Sequence, residues 1–281
     1  MAGLRGDYHN QYGSFVTPRL HLRFSPNEHW VLRDSAGAGY RTPNALAENN
    51  PYLASSRSLY IQPDLEREKG WNYGINLSRY LHLGLRELTL NAEYYHTRFD
   101  NQLVTDLDQS AREVHFYNLD GRSYSNVFQA EASMEVLRGL DVVAAWRIND
   151  VKVTTNNQLR RKALQGRYRG LFNLSYATPL PRWQIDFTTQ FNGPGRIPST
   201  AENPAAMQRP ERFEAFQVFN AQITRYLRRW DFYLGVENIG NYTQSNPIIA
   251  SESPFSEHFD ASLIWGPLMG RKVYFGFRFS I

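Results

Sequence analysis

Apolar and polar residues alternate along most of this chain with a period of two. The last twelve residues, GRKVYFGFRFSI (270–281), set Val273, Phe275, Phe277, Phe279 and Ile281 against Lys272, Tyr274, Gly276, Arg278 and Ser280. Successive side chains of a strand point to opposite faces, so this is a strand with one apolar and one polar face. The same reading predicts strands over FVTPRLHLRF (15–24), WVLRDSAGAGY (30–40), GWNYGINLSRYL (70–81) and RELTLNAEYYHTRF (86–99). It takes EVHFYNLDGRSYSNVFQAEASMEV (113–136) as one long strand with an irregularity at NLDG. DVVAAWRIN (141–149), GRYRGLFNLSYATP (166–179), WQIDFTTQF (183–191), EAFQVFNAQITRYL (214–227) and WDFYLGVENIG (230–240) follow. MAGLRGDYHN reads as the end of a further strand, which brings the total to about twelve.

The connections come in two sizes that alternate. Those near 25–29, 82–85, 137–140, 179–182 and 228–229 are a few residues long. Those near 41–69, 192–212 and 241–269 run to twenty or more, with shorter members at 10–14, 100–112 and 156–165. Short turns at one end and long loops at the other are the habit of outer-membrane barrels, with turns in the periplasm and loops outside the cell. A closed antiparallel barrel is the only β arrangement that satisfies its backbone in lipid. The fold class is therefore all-β, an antiparallel transmembrane outer-membrane β-barrel of about twelve strands. Its apolar strand faces meet lipid and its polar faces meet a lumen.

Composition agrees without deciding the matter. Mean hydropathy is −0.54 and no apolar run is long enough for a membrane helix, but alternation hides barrel strands from any such average. The 17 Tyr, 17 Phe and 6 Trp suit the aromatic girdles of a barrel. Cysteine is absent, which removes disulfides and thiolate metal sites. The net charge of +4 comes from Lys and Arg spread along the chain and gathered at turns, as in LRRK (159–162) and YLRRW (226–230), so nucleic acid is not expected as a partner. The chain opens without the apolar core of a signal peptide.

Catalytic and metal chemistry find little support. The seven histidines are scattered, with no HxH or HExxH pattern, so neither a metal nor a cofactor is expected. GAGY (37–40) has a GxG shape without a strand-to-helix context, and no Ser, His and Asp trio suggests a triad.

Several blocks, in order, resemble the barrel of TonB-dependent outer-membrane receptors. These are AGLRGDYHN with FVTPRLHLRFSPNEHWVLRDSAGAGYRTPN, then AEYYHTRFDNQLV and VENIGNYTQSNPI, and finally WGPLMGRKVYFGFRFSI, whose closing strand is similar to those of Bacteroidetes-like receptors. The resemblance covers residues 1–281. It implies the C-terminal half of a barrel of roughly 22 strands, without the plug domain, the first barrel strands or the signal peptide. It implies a Gram-negative outer-membrane location and uptake of a scarce ligand of siderophore, vitamin or glycan type. Outer-membrane lipid, the barrel-assembly machinery and a surface lipoprotein are the implied partners, and the TonB complex would act only through the N-terminal region. The family's ligands meet extracellular loops, which points here to Tyr40, Arg41, Asn44, Glu48 and Arg57. The barrel-assembly signal maps onto Tyr274, Gly276, Phe279 and Ile281, where Ile281 departs from the usual final Phe. Twelve strands cut from a larger barrel are expected to form an open, curved sheet with two edges. The competing readings are a self-contained twelve-stranded porin or outer-membrane enzyme, and a soluble all-β carbohydrate-binding protein; apolar faces buried against a second layer of protein would overturn the membrane reading.

Overall fold

The computed structural model describes residues 1–180 and 182–280. Twelve strands follow one another in one antiparallel sheet, each paired with the next in chain order. They are β1 (Ala2–His9), β2 (Gly13–Asn27), β3 (Trp30–Arg41), β4 (Glu68–Leu83), β5 (Arg86–Asn101) and β6 (Ser123–Leu137). The others are β7 (Leu140–Thr155), β8 (Tyr168–Ala177), β9 (Trp183–Asn192), β10 (Phe216–Tyr226), β11 (Trp230–Glu237) and β12 (Lys272–Phe279). Among the described residues no ladder joins β1 to β12, so the sheet is open. Among them, too, no helix is long and apolar enough to cross a membrane.

Register fixes the two faces. Leu32 stands opposite Leu77, Leu77 opposite Ala92, Ala92 opposite Ala130 and Ala130 opposite Trp146, so one row of apolar side chains crosses five strands. On the other face Arg33 pairs with Asn76, Asn76 with Glu93 and Glu93 with Gln129. That polar face is bonded across strands: Asn76 Nδ2 donates to Asn91 Oδ1 at 2.9 Å and Asn173 Nδ2 to Thr188 Oγ1 at 2.8 Å. Among the described residues the apolar face has no second layer over it. Phe275 and Phe277 are 67% and 60% exposed, and Leu22, Ile75, Phe128 and Ile185 are also open. This excludes a two-layered soluble sandwich. Asp34, opposite Leu22 and Ile75, is a charged residue on the apolar face.

Aromatic side chains bound this face at both ends. Trp30, Trp183 and Trp230 each begin an ascending strand straight after a short turn. Trp71 lies about eight residues up β4 from Arg79, which is the partner of Trp30, a strand length of roughly 27 Å at about 3.4 Å per residue. At a tilt of about 40° that is roughly 20 Å of membrane thickness, close to the apolar band of about 25 Å expected of such barrels.

One sequence reading changes here. Residues 113–136 are not a single strand. Ser123–Leu137 belongs to the barrel as β6, whereas Glu113–Asn118 leaves it and pairs in parallel with Ser58–Ile61 and antiparallel with Leu103–Asp106. The break falls at NLDG, where Gly121 has φ +119°, a conformation closed to most side chains.

At the far edge, tyrosines lie over glycines. A Cβ on Gly276 would meet the Tyr233 ring at 2.3 Å, and one on Gly235 would meet Tyr274 at 2.2 Å. The two pairs are reciprocal across β11 and β12, where Tyr233 stands opposite Gly276 and Gly235 opposite Tyr274. Tyr274 Oη then donates to Gln222 Oε1 on β10 at 2.8 Å. Replacing Gly276 with Ala is expected to destabilise the β11–β12 ladder by about 1–3 kcal/mol through overpacking, read as a lower urea midpoint in lipid vesicles. The matching test Tyr233→Ala in a Gly276→Ala background recovers part of the loss.

Candidate ligand-binding mouth

The packed apolar cores lie above the barrel, in the long loops. Ala45, Leu103, Leu107, Val114 and Phe116 form one core, with Tyr52, Leu59 and Leu65 against it. Ile197, Phe213, Ile249 and Leu263 form a second, where the Trp265 and Phe213 rings stack at 4.7 Å. The connections between β3 and β4, β5 and β6, β9 and β10, and β11 and β12 thus fold into a cap.

Arg57 is the pin of that cap. Its Nε donates to Asp260 Oδ2 at 2.8 Å, with the two side chains 2% and 5% exposed, and its Nη1 donates to the carbonyls of Glu113 (3.2 Å) and Ser110 (3.4 Å). Asp260 also accepts from Ser262 Oγ at 2.6 Å. Three loops meet at this one pair, 203 residues apart in sequence. Nη2 of Arg57 is buried without a partner among the described residues.

Other polar contacts tie loop to loop. Arg196 reaches Asp108, whose side chain is 2% exposed and also accepts from Thr155 Oγ1 at 3.2 Å. Glu202 accepts from Ser110 Oγ at 2.7 Å and from the Ala111 backbone N–H at 3.1 Å. Those hydrogen bonds, Ser110 first, hold the Glu202 carboxyl below its ordinary range. Tyr117 Oη donates to Asp106 at 2.7 Å, and burial with that hydrogen bond pushes the phenol up, so it stays a neutral donor.

Beneath the cap, at the upper ends of β2 to β5, the lumenal wall is hollowed by about 470 Å³. Arg19 and His21 come from β2, Arg41 from the end of β3, Glu68 and Asn72 from β4, and Thr97 from β5. Gly37, Gly39 and Gly70 leave the floor low; the space over Gly39 is open, while Arg19 lies beside Gly37 and Phe99 beside Gly70. Arg41 hydrogen-bonds Glu68 and reaches Glu48 at 2.8 Å. Glu68 is buried and also accepts the Leu103 N–H at 2.9 Å, so the rim of the hollow is tied to the first loop core. Lower on the same face stand Arg23 and Arg33. Among the described residues Arg19, Arg23 and Arg33 make no ion pair, so the β2–β3 wall is a cationic strip.

Of the five loop residues picked out from sequence, Tyr40, Arg41, Asn44 and Glu48 lie at the rim of the hollow and Arg57 lies apart from it. Arg41 lines the hollow. The Tyr40 ring packs at a tilt against Phe15 at 5.0 Å, with the Arg67 guanidinium 5.0 Å from its centre. The Asn44 backbone N–H donates to Glu48 at 3.1 Å, and Asn44 Oδ1 accepts from the Ala47 N–H at 3.0 Å. Arg57 sits in the cap. Of the four terminal residues, Tyr274 and Gly276 face the lumen, Phe279 packs on Trp230 at 4.7 Å on the lipid face, and Ile281 lies outside the described residues. Arg19, Arg23 and Arg33 escaped sequence reading as site residues. Their signal was present in the alternation, which sets them opposite the apolar face, but nothing local marks a lumenal cation as a ligand contact. No cluster of three or more His, Asp or Glu able to hold a metal is found among the described residues.

An open antiparallel sheet, apolar outside, polar inside and capped by its long loops, is the wall of an outer-membrane barrel. The family described as "TonB dependent receptor-like, beta-barrel" matches residues 1–239, and the chain belongs to it. This places it in the outer membrane of a Gram-negative cell. No curated protein sequence matches the chain. Among solved structures it is similar to the ferric enterobactin receptor PfeA of Pseudomonas aeruginosa, with TM-score 0.70 and 14% identity over 100% of this chain and 42% of that one. The siderophore receptor PirA of Acinetobacter baumannii gives TM-score 0.72 and 13% identity over 100% and 43%. The iron transporter FrpB of Neisseria meningitidis gives 0.63 and 16% over 95% and 39%. The chain thus spans less than half the length of these similar proteins.

Arg57→Leu is expected to leave the barrel folded and to loosen the cap by about 3–5 kcal/mol, because Asp260 is left buried without its counter-charge. Protease cleavage within 42–67 at unchanged gel mobility of the barrel reads this out, and Arg57→Leu with Asp260→Leu restores part of the protection. The Glu202 clasp has the opposite pH logic to a basic pair. Its carboxyl is lowered in the folded protein, so the stabilisation is present above the ordinary carboxylate value and is lost as pH falls through the lowered one. Spin-label distances between the 102–122 and 193–215 loops are expected to broaden over that acid range, and Glu202→Ala removes the dependence.

Proposed function

We propose that this chain forms the C-terminal barrel wall and most of the ligand-capturing cap of a TonB-dependent uptake receptor, and that its ligand is an anionic chelate of the ferric siderophore kind. The observation that carries the reading is the cationic strip of Arg19, Arg23 and Arg33 on the lumenal face, opening upward into the hollow rimmed by Arg41. Guanidinium groups bind carboxylate and catecholate oxygens in forked pairs, and in a narrow lumen their field is less screened than in bulk water. A neutral glycan or corrinoid has no use for such a strip. The siderophore receptors to which the chain is similar support the same class.

In this reading Arg41 meets the ligand at the rim. Tyr40, Asn44, Glu48 and Arg57 act one step back, holding the loop that presents it. The TonB complex supplies energy through regions of the receptor other than this wall, and the barrel-assembly machinery reads Tyr274, Gly276, Phe279 and Ile281. The chain carries its ligand unchanged and performs no reaction on it.

The test is ligand binding to cells carrying the receptor. Arg19→Gln with Arg33→Gln is expected to weaken binding of a ferric tricatecholate about a hundredfold or more, since hydrogen bonds to charged groups are worth about 1.5–3 kcal/mol each. Binding of a neutral glycan or corrinoid by the parent receptor, with the anionic chelate ignored, would sink the assignment of ligand class.

A further inference from the structure

The lipid-facing side of the sheet is not uniformly filled. Ala92 on β5, Ala130 and Ala132 on β6 and Ala144 on β7 lie side by side, walled by Leu77 on one flank and Trp146 on the other, and together they leave a trough of about 900 Å³. Four small side chains on adjacent strands are an unusual choice for a face whose other positions carry Leu, Ile and Phe. At one end the trough reaches Arg79, whose guanidinium lies 4.0 Å from the centre of the Trp30 ring. Among the described residues Arg79 has no carboxylate within ion-pair distance and makes no side-chain hydrogen bond. An arginine on a lipid face extends toward the interface, and the cation–π contact holds this one at the level of the periplasmic tryptophans.

The rim below it is basic as well. Four of the five short turns place an exposed leucine beside arginine: Leu85 with Arg86, Leu137 with Arg138, Leu180 with Arg182, and Leu227 with Arg228 and Arg229. Leucine enters the acyl region while arginine stays with the headgroups. A second outward pair, Arg225 over Trp183 at 4.6 Å, repeats the Arg79–Trp30 arrangement six strands away.

We propose that this wall carries a binding site for an anionic glycerophospholipid of the periplasmic leaflet, with its phosphate on Arg79 and one acyl chain in the alanine trough. The charge of the unpaired guanidinium selects the headgroup, and the missing side-chain volume selects a flexible chain. Arg86 and Arg138, on the turns beneath the trough, extend the positive surface toward the same headgroup. The block β4 to β7 is flanked by β3 on one side and β8 on the other, so the site does not depend on how the sheet edges are completed.

The test uses the receptor extracted from outer membranes in mild detergent, stripped of lipid and titrated with phosphatidylglycerol or phosphatidylcholine, with bound lipid counted by native mass spectrometry. Phosphatidylglycerol is expected to bind about fivefold more tightly, the factor given by roughly 1 kcal/mol per basic residue near an anionic headgroup. Arg79→Gln removes the preference and Arg79→Lys keeps it. Ala132→Phe fills the trough, leaves Arg79 in place, and weakens both lipids. Gel mobility with and without heating shows whether each variant is folded, and if Arg79→Gln is not, Arg79→Lys and Ala132→Phe decide. Equal binding of the two lipids overturns the site, as does phosphatidylglycerol binding that neither folded Arg79→Gln nor Ala132→Phe alters.

Discussion

Hydrocarbon offers no partner to a backbone N–H or C=O, and each unpaired group there costs several kcal/mol. Every other feature of this wall follows from that constraint. Hairpin pairing between chain neighbours satisfies the backbone at the smallest loss of chain entropy, and so the sheet order is the chain order from β1 to β12. Once the backbone is spent on the ladder, only the side chains remain to distinguish the two solvents. The rows Leu32–Leu77–Ala92–Ala130–Trp146 and Arg33–Asn76–Glu93–Gln129 are one sheet seen from lipid and from water. The same logic leaves β1 and β12 as edges that need a neighbour in a membrane.

Water returns above the membrane, and with it the ordinary hydrophobic effect. There the chain buries Phe116, Val114 and Ile249 almost completely, while the phenylalanines of β12 stay open. Two solvents thus produce two kinds of stability in one polypeptide. The barrel rests on repeated local pairing, the cap on a few long-range contacts such as Arg57 with Asp260. Removing a contact from the first kind is shared by many neighbours. In the second kind it loosens several loops together, because they share two apolar cores and the ladder of Ser58–Ile61 with Glu113–Asn118.

The difference also decides what was legible in the sequence. WQIDFTTQF at 183–191 was readable because alternation is a local signal, and β9 occupies Trp183–Asn192. Residues 113–118 alternate just as well, yet their partners are Ser58–Ile61 and Leu103–Asp106 rather than the barrel. Alternation reports that a segment is a half-buried strand, not which sheet receives it. The short strand Gln158–Arg161 was likewise hidden in a basic loop. Its hairpin turns on Asn156 and Asn157, both left-handed, a cue carried by residue type and not by hydropathy. The mouth was legible only by location. The pairing of Arg57 with a carboxylate near the far end of the chain leaves no trace in either segment alone.

Glycine in the wall ties these levels together. Gly37, Gly39 and Gly70 hollow the lumenal face under Arg41, whereas Gly235 and Gly276 lie under Tyr274 and Tyr233, which fill the space above them. The same residue type therefore makes a cavity in one place and a packed corner in another, and the neighbour across the strand decides which. Where that neighbour is a tyrosine with a hydrogen-bond partner, as Tyr274 is to Gln222, the wall is braced. Where the neighbours are the long, solvated Arg19 and the short Thr97, the face stays open to whatever occupies the lumen. On the lipid side alanine plays the corresponding part beside Arg79. In both gaps the wall withholds side-chain volume and places a cation at the edge.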